Sequence, residues 1–285
     1  MYQLRSPAEA LRPFIEHYWF VSQLAGEVLD LRVDVFVDGR ADLIFNFGVP
    51  YERLVIGGAT SIHATSNLDA QRTVPIRILQ RGAVEVCGVR FRLGGLGPFV
   101  RGALAGCTNR TPSPAEVLGP EVDVLAASLR QERDLDGRAR LLDRFFLDRF
   151  TTDAAHASFA RSLDGLIATD GQTPVQALAE SASTSVRQLE RAFARYLGIA
   201  PKTVARILRF QRAMRALMRD PGGSLADVAA DAGYFDQAHF VRDFRRMTGG
   251  VPRGYRGYYP PAGPSDFAPN VVVFVQDRGR AGRRG

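Results

Sequence analysis

Few residues in this sequence suit metal sites or disulfide frameworks. The 285 residues include two cysteines, Cys87 and Cys107, and four histidines. No Cys-x-x-Cys or His-x-His spacing occurs among them. We therefore expect no metal, no cofactor and no catalytic set that would make the chain an enzyme. The two cysteines are interpreted as ordinary thiols of a reducing compartment, with a redox pair as the alternative.

Long apolar runs are also missing. The segment from Met1 to Gln23 carries Glu9, Glu16 and two arginines, and it has no continuous hydrophobic stretch of the kind found in signal peptides. A membrane-spanning helix would need about 20 consecutive, mostly apolar residues. We therefore expect a cytoplasmic protein with no membrane partner.

Positive charge is concentrated in one part of the chain. The formal net charge is +7 at pH 7. Residues 156–258 contain 15 Lys and Arg against 9 Asp and Glu, whereas residues 1–155 contain 18 against 19. This distribution predicts that the segment 156–258 binds a polyanion and that the front part has another role. A membrane surface is the competing polyanion, but no basic amphipathic stretch occurs outside this segment.

One sequence pattern occurs twice within the basic segment. The first copy covers residues 178–201 around Ser185, and the second covers residues 228–252 around Asp236. From Ser185 and Asp236 onward the copies are offset by 51 residues, with apolar residues four and eight positions later, glycine thirteen later and proline sixteen later. Such repetition predicts that both copies fold into the same three-dimensional unit.

Each copy is typical of two short helices joined by a tight turn. Alanines precede both turns, where a second helix must approach closely. Ser185 and Gln188 predict a capping box, and Asp236 predicts the N-cap of the equivalent helix. The pattern therefore predicts two helix-turn-helix units, at about 175–197 and 225–248.

A long helix is predicted between the two copies. The stretch from Lys202 to about Arg219 contains no proline or glycine and repeats apolar residues at helical spacing. Gly198 and Gly249 predict left-handed ends for the helices that precede them. About 18 residues at a rise of ~1.5 Å would span ~27 Å. Such a rod can hold two helices near the ~34 Å separation of successive major-groove segments on one face of DNA.

Polar and basic residues occupy the outward faces of the two predicted reading helices. Side chains of these types reach base edges and phosphates in a major groove. The alternative is a helical bundle or repeat that binds nothing and in which the same arginines form a solvated face. The candidate DNA-contacting residues are Arg187, Gln188, Glu190, Arg191 and Arg195 in the first unit and Gln237, Ala238, His239, Arg242 and Arg246 in the second.

Three motifs carry a family resemblance. They are Ser185-x-Arg-Gln-Leu-Glu-Arg-Ala-Phe, Leu197-Gly-Ile-Ala-Pro and Ala232-Gly-Tyr-Phe-Asp-Gln-Ala-His-Phe-Val-Arg-Asp-Phe. With them, the segment 156–258 resembles the DNA-binding domain of AraC/XylS-type transcription regulators. The resemblance implies double-stranded DNA at a promoter or operator as the partner, and it makes RNA polymerase a second candidate partner. Ser183 departs from the glycine usual at this turn, which predicts a strained backbone and a weaker first unit.

The front part of the chain predicts strands followed by helices. Alternation around the turn dipeptide Asp38-Gly39 predicts a hairpin in which Leu43, Phe45 and Phe47 share one face. We therefore expect an α+β fold class: an antiparallel sheet or small barrel with helices, followed by an all-α domain with two helix-turn-helix units. The predicted elements of the front part are a helix at about Pro7–Glu16, strands within Val33–Phe47 and at 54–56, 77–80 and 84–92, and helices at about 98–105, 121–131 and 137–150.

The segments 37–48 and 84–99 resemble the N-terminal domain of a poorly characterised group of AraC-type regulators. This likeness implies a sensory or dimerisation domain. Aromatic stripes on strands more often belong to a core than to a pocket, so we favour the core interpretation. Because no polar cluster marks a ligand site, a homodimer is favoured over an unidentified small-molecule effector. The aromatic residues that could alternatively line an effector pocket are Trp19, Phe36, Phe45, Phe47 and Phe91.

Three regions are predicted: a sensory or dimerisation domain at 1–152, a DNA-binding domain at 156–258, and a proline-rich and basic tail at 259–285. Within the tail, a strand is predicted at 271–275 and disorder at 278–285. We expect the DNA-binding domain to have its own core and to fold alone. The residues predicted to form that core are Leu178, Leu189, Phe193, Val228, Phe240 and Phe244.

These features predict a sequence-specific transcription regulator whose two recognition helices read adjacent major-groove segments. Its N-terminal domain would modulate DNA binding through dimerisation or a small effector. The alternative is a DNA repair or alkyl-transfer protein that uses the same domain for targeting. Neither Cys87 nor Cys107 lies in a Pro-Cys-His setting, which disfavours this alternative.

Overall fold

The computed structural model describes residues 2–22, 29–58, 61–220, 222–255 and 273–275. Within these ranges, ten strands form two five-stranded antiparallel sheets with the orders β1-β2-β9-β4-β7 and β10-β3-β8-β5-β6. The strands are β1 Tyr2–Arg5, β2 Ile15–Ser22, β3 Leu29–Val35, β4 Asp42–Asn46, β5 Tyr51–Val55, β6 Ser61–Ala64, β7 Asn67–Asp69, β8 Ile76–Gly82, β9 Glu85–Phe91 and β10 Val273–Val275.

Nine α-helices lie between β9 and β10 in the described ranges. Three of them complete the front part and six form the C-terminal part, so the α+β prediction is confirmed. None of these helices is both long enough and apolar enough to cross a lipid bilayer. The helices are α1 Pro114–Leu118, α2 Glu121–Gln131, α3 Leu135–Arg149, α4 Ala154–Ala168, α5 Val175–Ser181, α6 Val186–Tyr196, α7 Pro201–Arg219, α8 Leu225–Asp231 and α9 Gln237–Thr248.

The first sheet encloses the main core of the front part. Leu43 and Phe45 of β4 share a fully buried face, as predicted, and Phe47 packs against the same cluster. Helices α1 to α3 cover this face with Leu118, Leu129 and other apolar side chains. The prediction that the aromatic residues belong to cores is confirmed for Phe36, Phe45 and Phe91, which are buried in core clusters.

The predicted helix at Pro7–Glu16 is wrong. Only a short 3-10 turn forms, at Glu9–Leu11, and β2 begins at Ile15. Pro13 cannot donate a helical hydrogen bond, and the β-branched and aromatic residues after it pair with β1 on one side and β9 on the other.

The predicted hairpin at Asp38-Gly39 is also wrong. Gly39 has the positive φ of a turn, at 72°. However, β3 pairs with β8 in one sheet while β4 pairs with β9 in the other. The segment between β3 and β4, which we call the crossover (residues 36–41), therefore passes from one sheet to the other.

The helix predicted from Pro98 to about Ala105 does not form. Two 3-10 turns occur instead, at Gly97–Phe99 and Leu104–Gly106. Val100 is extended between them, with φ −111° and ψ 127°, so that Phe99 and Leu104 can each be buried. The helices predicted at 121–131 and 137–150 are confirmed as α2 and α3, and the long helix from Lys202 is confirmed as α7.

The strand predicted at 271–275 is confirmed in part, since β10 pairs antiparallel with β3. The predicted proline-rich start of the tail and the predicted disorder at 278–285 lie outside the described residues. Further elements that the sequence did not predict are β1, β2, β6, β7, α1 and α4.

The core of the C-terminal part includes residues from the front part. The six residues predicted for this core are all buried in one cluster, but Phe36 and Val37 of the crossover belong to the same cluster. The backbone N–H of Val37 donates to the carbonyl of Met247 at 3.3 Å. The Phe36 ring packs edge-on against Tyr255, with 5.3 Å between the ring centroids. The predicted core is therefore present, and it also includes two residues of the crossover.

Candidate nucleic-acid interface and an internal cavity

Helices α5 and α6 form the first helix-turn-helix unit. The predicted capping box is present: Ser185 Oγ accepts from the Gln188 N–H at 3.2 Å, and Gln188 Oε1 accepts from the Ser185 N–H at 3.1 Å. Gln188 Oε1 also accepts from Thr184 Oγ1 at 2.9 Å. The Gln188 carbonyl oxygen is thus committed to the helix start, and its NH₂ group is the part that remains for a ligand.

The outer face of α6 carries four charged side chains. Leu189, Phe193 and Tyr196 are buried on the opposite face. The guanidinium of Arg195 lies over the ring of Tyr196, 5.1 Å from its centroid, which holds this arginine against the helix. The exposed residues of the predicted set on α6 are Arg187, Gln188, Glu190, Arg191 and Arg195.

Helices α8 and α9 form the second unit. Asp236 caps α9 by accepting from the N–H of His239 at 2.5 Å, as predicted. Phe240, Phe244 and Met247 are buried beneath α9. His239 is half-buried because its ring packs edge-on against Tyr234, at 5.2 Å between centroids. The other residues of the predicted set, all exposed, are Gln237, Ala238, Arg242 and Arg246.

The two units differ by one residue in the turn. Helices α5 and α8 are offset by 50 residues, whereas α6 and α9 are offset by 51. The residue with positive φ is Ser183 in the first turn, at 50°, and Gly233 in the second, at 79°. Equivalent backbone hydrogen bonds, from Thr184 to Ala179 and from Tyr234 to Ala229, follow both of them. The second turn therefore contains one extra residue before its helix cap.

Helix α7 connects the two units as a single helix of 19 residues. Its apolar face is buried in the common core, and Gly198 and Gly249 have the positive φ predicted for helix ends. Some basic residues of α7 have structural partners: Arg215 donates to Asp170 at 2.9 Å, and Arg209 lies 5.8 Å from the ring centroid of Tyr234. These two arginines of α7 are thus held by contacts within the C-terminal part.

The front part contacts both helix-turn-helix units. Thr108 Oγ1 donates to the carbonyl of Gly198 at the end of α6, at 2.6 Å. At the other unit, Ile56 lies so close to Gly249 that an added Cβ would be 2.5 Å from Ile56 Cγ2. Between them, Gln211 Nε2 of α7 donates to the carbonyl of Asp38 in the crossover, at 2.7 Å, and both groups are buried.

A cavity of about 130 Å³ lies between the two sheets of the front part. Strands of both sheets contribute to its wall, which is mostly apolar and includes Trp19, Val35, Ile44, Ile78 and Val86. Of the five aromatic residues considered for a pocket, Trp19 lies on this wall. The cavity is close in size to a 150 Å³ apolar cavity that holds benzene.

A polar cluster lies at one end of the cavity, contrary to the expectation from the sequence. Arg90 on the cavity wall donates to Asp42 Oδ2 at 2.7 Å and also to Asp38 of the crossover. Trp19 Nε1 donates to the other oxygen of Asp42 at 3.2 Å. Burial opposes the charge on Arg90, but Asp42 and Asp38 outweigh it and raise the pKa of the guanidinium.

The same cluster includes Asp69, which also lies on the cavity wall. Arg72 is fully buried and is paired with Asp69, which also accepts from Arg53 at 3.0 Å. Burial raises the pKa of the Asp42 carboxyl, and Arg90 counteracts this effect. Sequence alternation places polar residues on these strands, but it could not pair Asp38 with Arg90, because the two lie on segments 52 residues apart.

The structure also locates the two thiols. Cys87 is fully buried in the core of the first sheet, and burial raises its pKa to about 12. Cys107 is partly buried, and burial raises its pKa as well. Within the described ranges, no group of three or more His, Cys, Asp or Glu could hold a metal ion.

Comparison with known proteins matches the two parts of the chain separately. Residues 178–258 match a family model described as a helix-turn-helix domain. Residues 3–113 match a family model described as a domain of unknown function, DUF6597.

Among curated relatives, the HTH-type transcriptional activator RhaS of Escherichia coli O139:H28 is 36% identical over 80 residues. The match covers 28% of this chain and 28% of RhaS, so the chain spans little more than a quarter of the length of the curated relatives it matches.

Two solved structures are similar to this chain in fold. An AraC-type DNA-binding domain-containing regulator from Chromobacterium violaceum has 24% identity and a TM-score of 0.33, and covers 36% of this chain and 94% of its own. ToxT from Vibrio cholerae O395 has 11% identity and a TM-score of 0.41, covering 89% of this chain and 96% of its own. By the family models and the curated relative, residues 178–258 of this chain are similar to helix-turn-helix domains of AraC-type regulators, and residues 3–113 match a domain family of unknown function.

Proposed function

We propose that this protein is a sequence-specific DNA-binding regulator of transcription. The proposal is supported above all by the two helix-turn-helix units, which are joined by the single helix α7 and each have a basic outer face. Arg187, Arg191 and Arg242 are exposed on helices whose inner faces are fully committed to the core. At ~1.5 Å per residue, α7 is about 28 Å long, which suits two reading helices in successive major-groove segments.

In this proposal α6 and α9 each enter one major-groove segment. Arg187, Glu190 and Arg191 contact base edges in the first, and Gln237 and its neighbours His239 and Arg242 contact base edges in the second. Arginine is suited to guanine through two hydrogen bonds, and glutamine is suited to adenine. His239 is half-buried, and its ring packs against Tyr234 with 5.2 Å between centroids.

Selection of binding sites from a random DNA library tests this function. The wild-type protein should enrich one sequence with two conserved blocks, and footprinting should protect two segments about one helical turn apart. Arg191→Ala should relax only the first block, and Arg242→Ala only the second. Binding without sequence enrichment would contradict the proposal. Affinity should fall steeply with salt, because phosphate contacts release counterions.

The two thiols bear on the alternative of alkyl transfer. The nucleophile in such a reaction is a thiolate, and burial of Cys87 raises its pKa to about 12, which favours the unreactive thiol. This observation supports a regulator over a repair protein. Incubation with alkylated DNA followed by mass spectrometry of the intact protein should show no added alkyl mass, and an added alkyl group on Cys107 would restore the alternative.

The front part is proposed to modulate DNA binding through the cavity between its two sheets. A small, mostly apolar effector would fit the cavity wall, and Arg90 at its polar end would meet any acidic group on that effector. Arg90 also binds Asp38, and the carbonyl of Asp38 accepts from Gln211 of α7. A ligand that competes for Arg90 would therefore disturb a contact chain that ends at the helix joining the two reading units.

Benzene and benzoate are suitable probes for this cavity. Both should give a saturable shift in protein NMR signals, with the benzoate response dependent on Arg90. Val86→Phe, which fills the wall with a larger ring, should abolish both responses while leaving the unliganded protein folded. Unchanged responses in Val86→Phe would place the probes elsewhere and remove the cavity from the proposal.

Self-association and contact with RNA polymerase remain predictions of the sequence resemblance. The proposed homodimer would gain affinity on paired sites, because linking two binding events raises the effective concentration of the second. Sedimentation velocity of the full-length chain tests it. A monomer at micromolar concentration, with equal affinity for single and paired sites, would contradict the dimer.

A further inference from the structure

The extra residue in the second turn is Phe235. It lies between Tyr234, which is equivalent to Thr184 by its backbone hydrogen bond, and the cap Asp236. The first turn goes directly from Thr184 to its cap Ser185. The second unit thus carries a side chain at the start of its recognition helix that has no counterpart in the first.

The side chain of Phe235 is 93% exposed, the highest exposure among the large apolar side chains of the described residues. Its neighbours in the turn hold it in this position. Tyr234 is buried and packs against Phe240, with 5.3 Å between ring centroids, and Asp236 is fixed by its cap hydrogen bond to His239. The exposed ring is therefore presented by an anchored turn.

The surroundings of Phe235 indicate the partner. Gln237 and Ala238 follow it on the exposed side of α9, and Arg242 lies one to two turns further along the same helix. An apolar ring beside basic and amide side chains suits a surface that has both negative charge and an apolar group. The major groove offers such a group in the C5-methyl of thymine.

We propose that Phe235 contacts the C5-methyl group of a thymine at the edge of the site read by α9. This inference rests on the proposed function, because it requires that α9 enter the major groove. It makes Phe235 a specificity-determining residue that prefers thymine at one position. The first unit has no equivalent residue, since its turn goes directly from Thr184 to the cap Ser185. The methyl preference should therefore occur in one half of the site only.

The test uses a DNA site selected by the wild-type protein. Each thymine is replaced in turn by deoxyuridine, which removes only the methyl group, and Kd is measured by fluorescence anisotropy. For the wild type, one replacement in the α9 half should weaken binding about threefold to fourfold, the factor for burying one methyl group. Phe235→Ala should bind the thymine site more weakly by a similar factor and should be insensitive to that replacement.

Matched variants separate this effect from general losses. Phe235→Leu keeps an apolar side chain and should retain part of the methyl preference. Val251→Ala changes an exposed apolar residue just after α9 and should leave the thymine response unchanged. Because Phe235 is almost fully exposed, the melting temperatures of the two Phe235 variants should match that of the wild type.

Three results would overturn the inference. The first is a wild-type protein insensitive to every deoxyuridine in the α9 half. The second is a Phe235→Ala variant that loses affinity equally for thymine and uracil sites, which would indicate packing on the sugar-phosphate backbone. The third is a variant with unchanged DNA binding but reduced transcription, which would indicate a protein partner. Failure of the wild type to select any sequence would instead contradict the proposed function itself.

Discussion

Replacing Ser183 by glycine should stabilise the protein. Ser183 has a φ of 50°, in the left-handed region, and its side chain is exposed. A non-glycine residue in this region costs roughly 1–2 kcal/mol relative to the right-handed conformation. Glycine removes this strain but adds about 0.4–1 kcal/mol of conformational entropy to the unfolded chain. The free energy of unfolding should therefore increase by about 0.5–1 kcal/mol in Ser183→Gly.

The reciprocal change at the second turn should have the opposite sign. Gly233 has a φ of 79°, and a Cβ there would lie 3.4 Å from Gln172 Cγ and 3.8 Å from Arg209 Cδ, which are ordinary contacts. Gly233→Ser should therefore lower the free energy of unfolding by about 0.5–1 kcal/mol, through backbone strain alone. The double variant should be near neutral, since effects at separate sites usually add.

Calorimetry and urea unfolding measure these differences. A change of 1 kcal/mol corresponds to roughly 2–4 °C in a chain of this size class, so Ser183→Gly should raise Tm by about 1–4 °C. Ala182→Gly is the matched control, because Ala182 has a φ of −86° and gains nothing from glycine. A lower Tm for Ser183→Gly would refute the reasoning and would show that the Ser183 hydroxyl makes a stabilising contact.

Three further results are expected. Arg242→Ala should weaken binding to the selected site by roughly 1–3 kcal/mol but barely affect binding to random DNA. Equal losses of affinity for selected and random DNA in an anisotropy assay would make Arg242 a phosphate contact. Gln211→Leu leaves the buried carbonyl of Asp38 without its 2.7 Å hydrogen bond. The free energy of unfolding, measured in urea, should therefore fall by about 1–3 kcal/mol, and hydrogen exchange at the Val37 amide should accelerate. Unchanged exchange would mean that this contact does not hold the two parts of the chain together. Burial, followed by the charge of Arg90, lowers the pKa of His17 to about 4. Because an unfolded histidine titrates near 6.5, the unfolded state binds the proton first as pH falls, and stability should decline between about pH 6.5 and 4. His17→Gln should remove that part of the decline in unfolding curves measured against pH, and identical curves for both proteins would contradict the assignment.

The helix-turn-helix units could be predicted from the sequence because their determinants are local. The capping box of Ser185 and Gln188, the cap Asp236 and the helix-ending glycines are defined by residues within one or two turns of each other. The positive φ at Ser183 also follows from local comparison of the two copies. The difference in turn length was present in the spacing of the copies, but only the backbone hydrogen bonds show that Phe235 is the inserted residue.

The front part was predicted less well because strand partners are distant in sequence. Alternation located β4, β8 and β9, but a strand pattern does not state which strand it pairs with. The dipeptide Asp38-Gly39 is typical of a hairpin turn, yet the strands on either side of it lie in different sheets. The pairing of β3 with β8 and of β4 with β9 decided the path of the chain here, although the dipeptide alone favours a hairpin.

The sequence by itself determined the class of the C-terminal domain, the faces of its helices and the concentration of positive charge on it, because these depend on composition and on periodicity along single helices. The tertiary structure decided which residues meet across the chain. It placed Arg90 between the cavity and Asp38, and it placed Phe36 and Val37 in the core of the other part. These contacts join segments from 52 to more than 170 residues apart, and they form only when two sheets and a helical domain pack together.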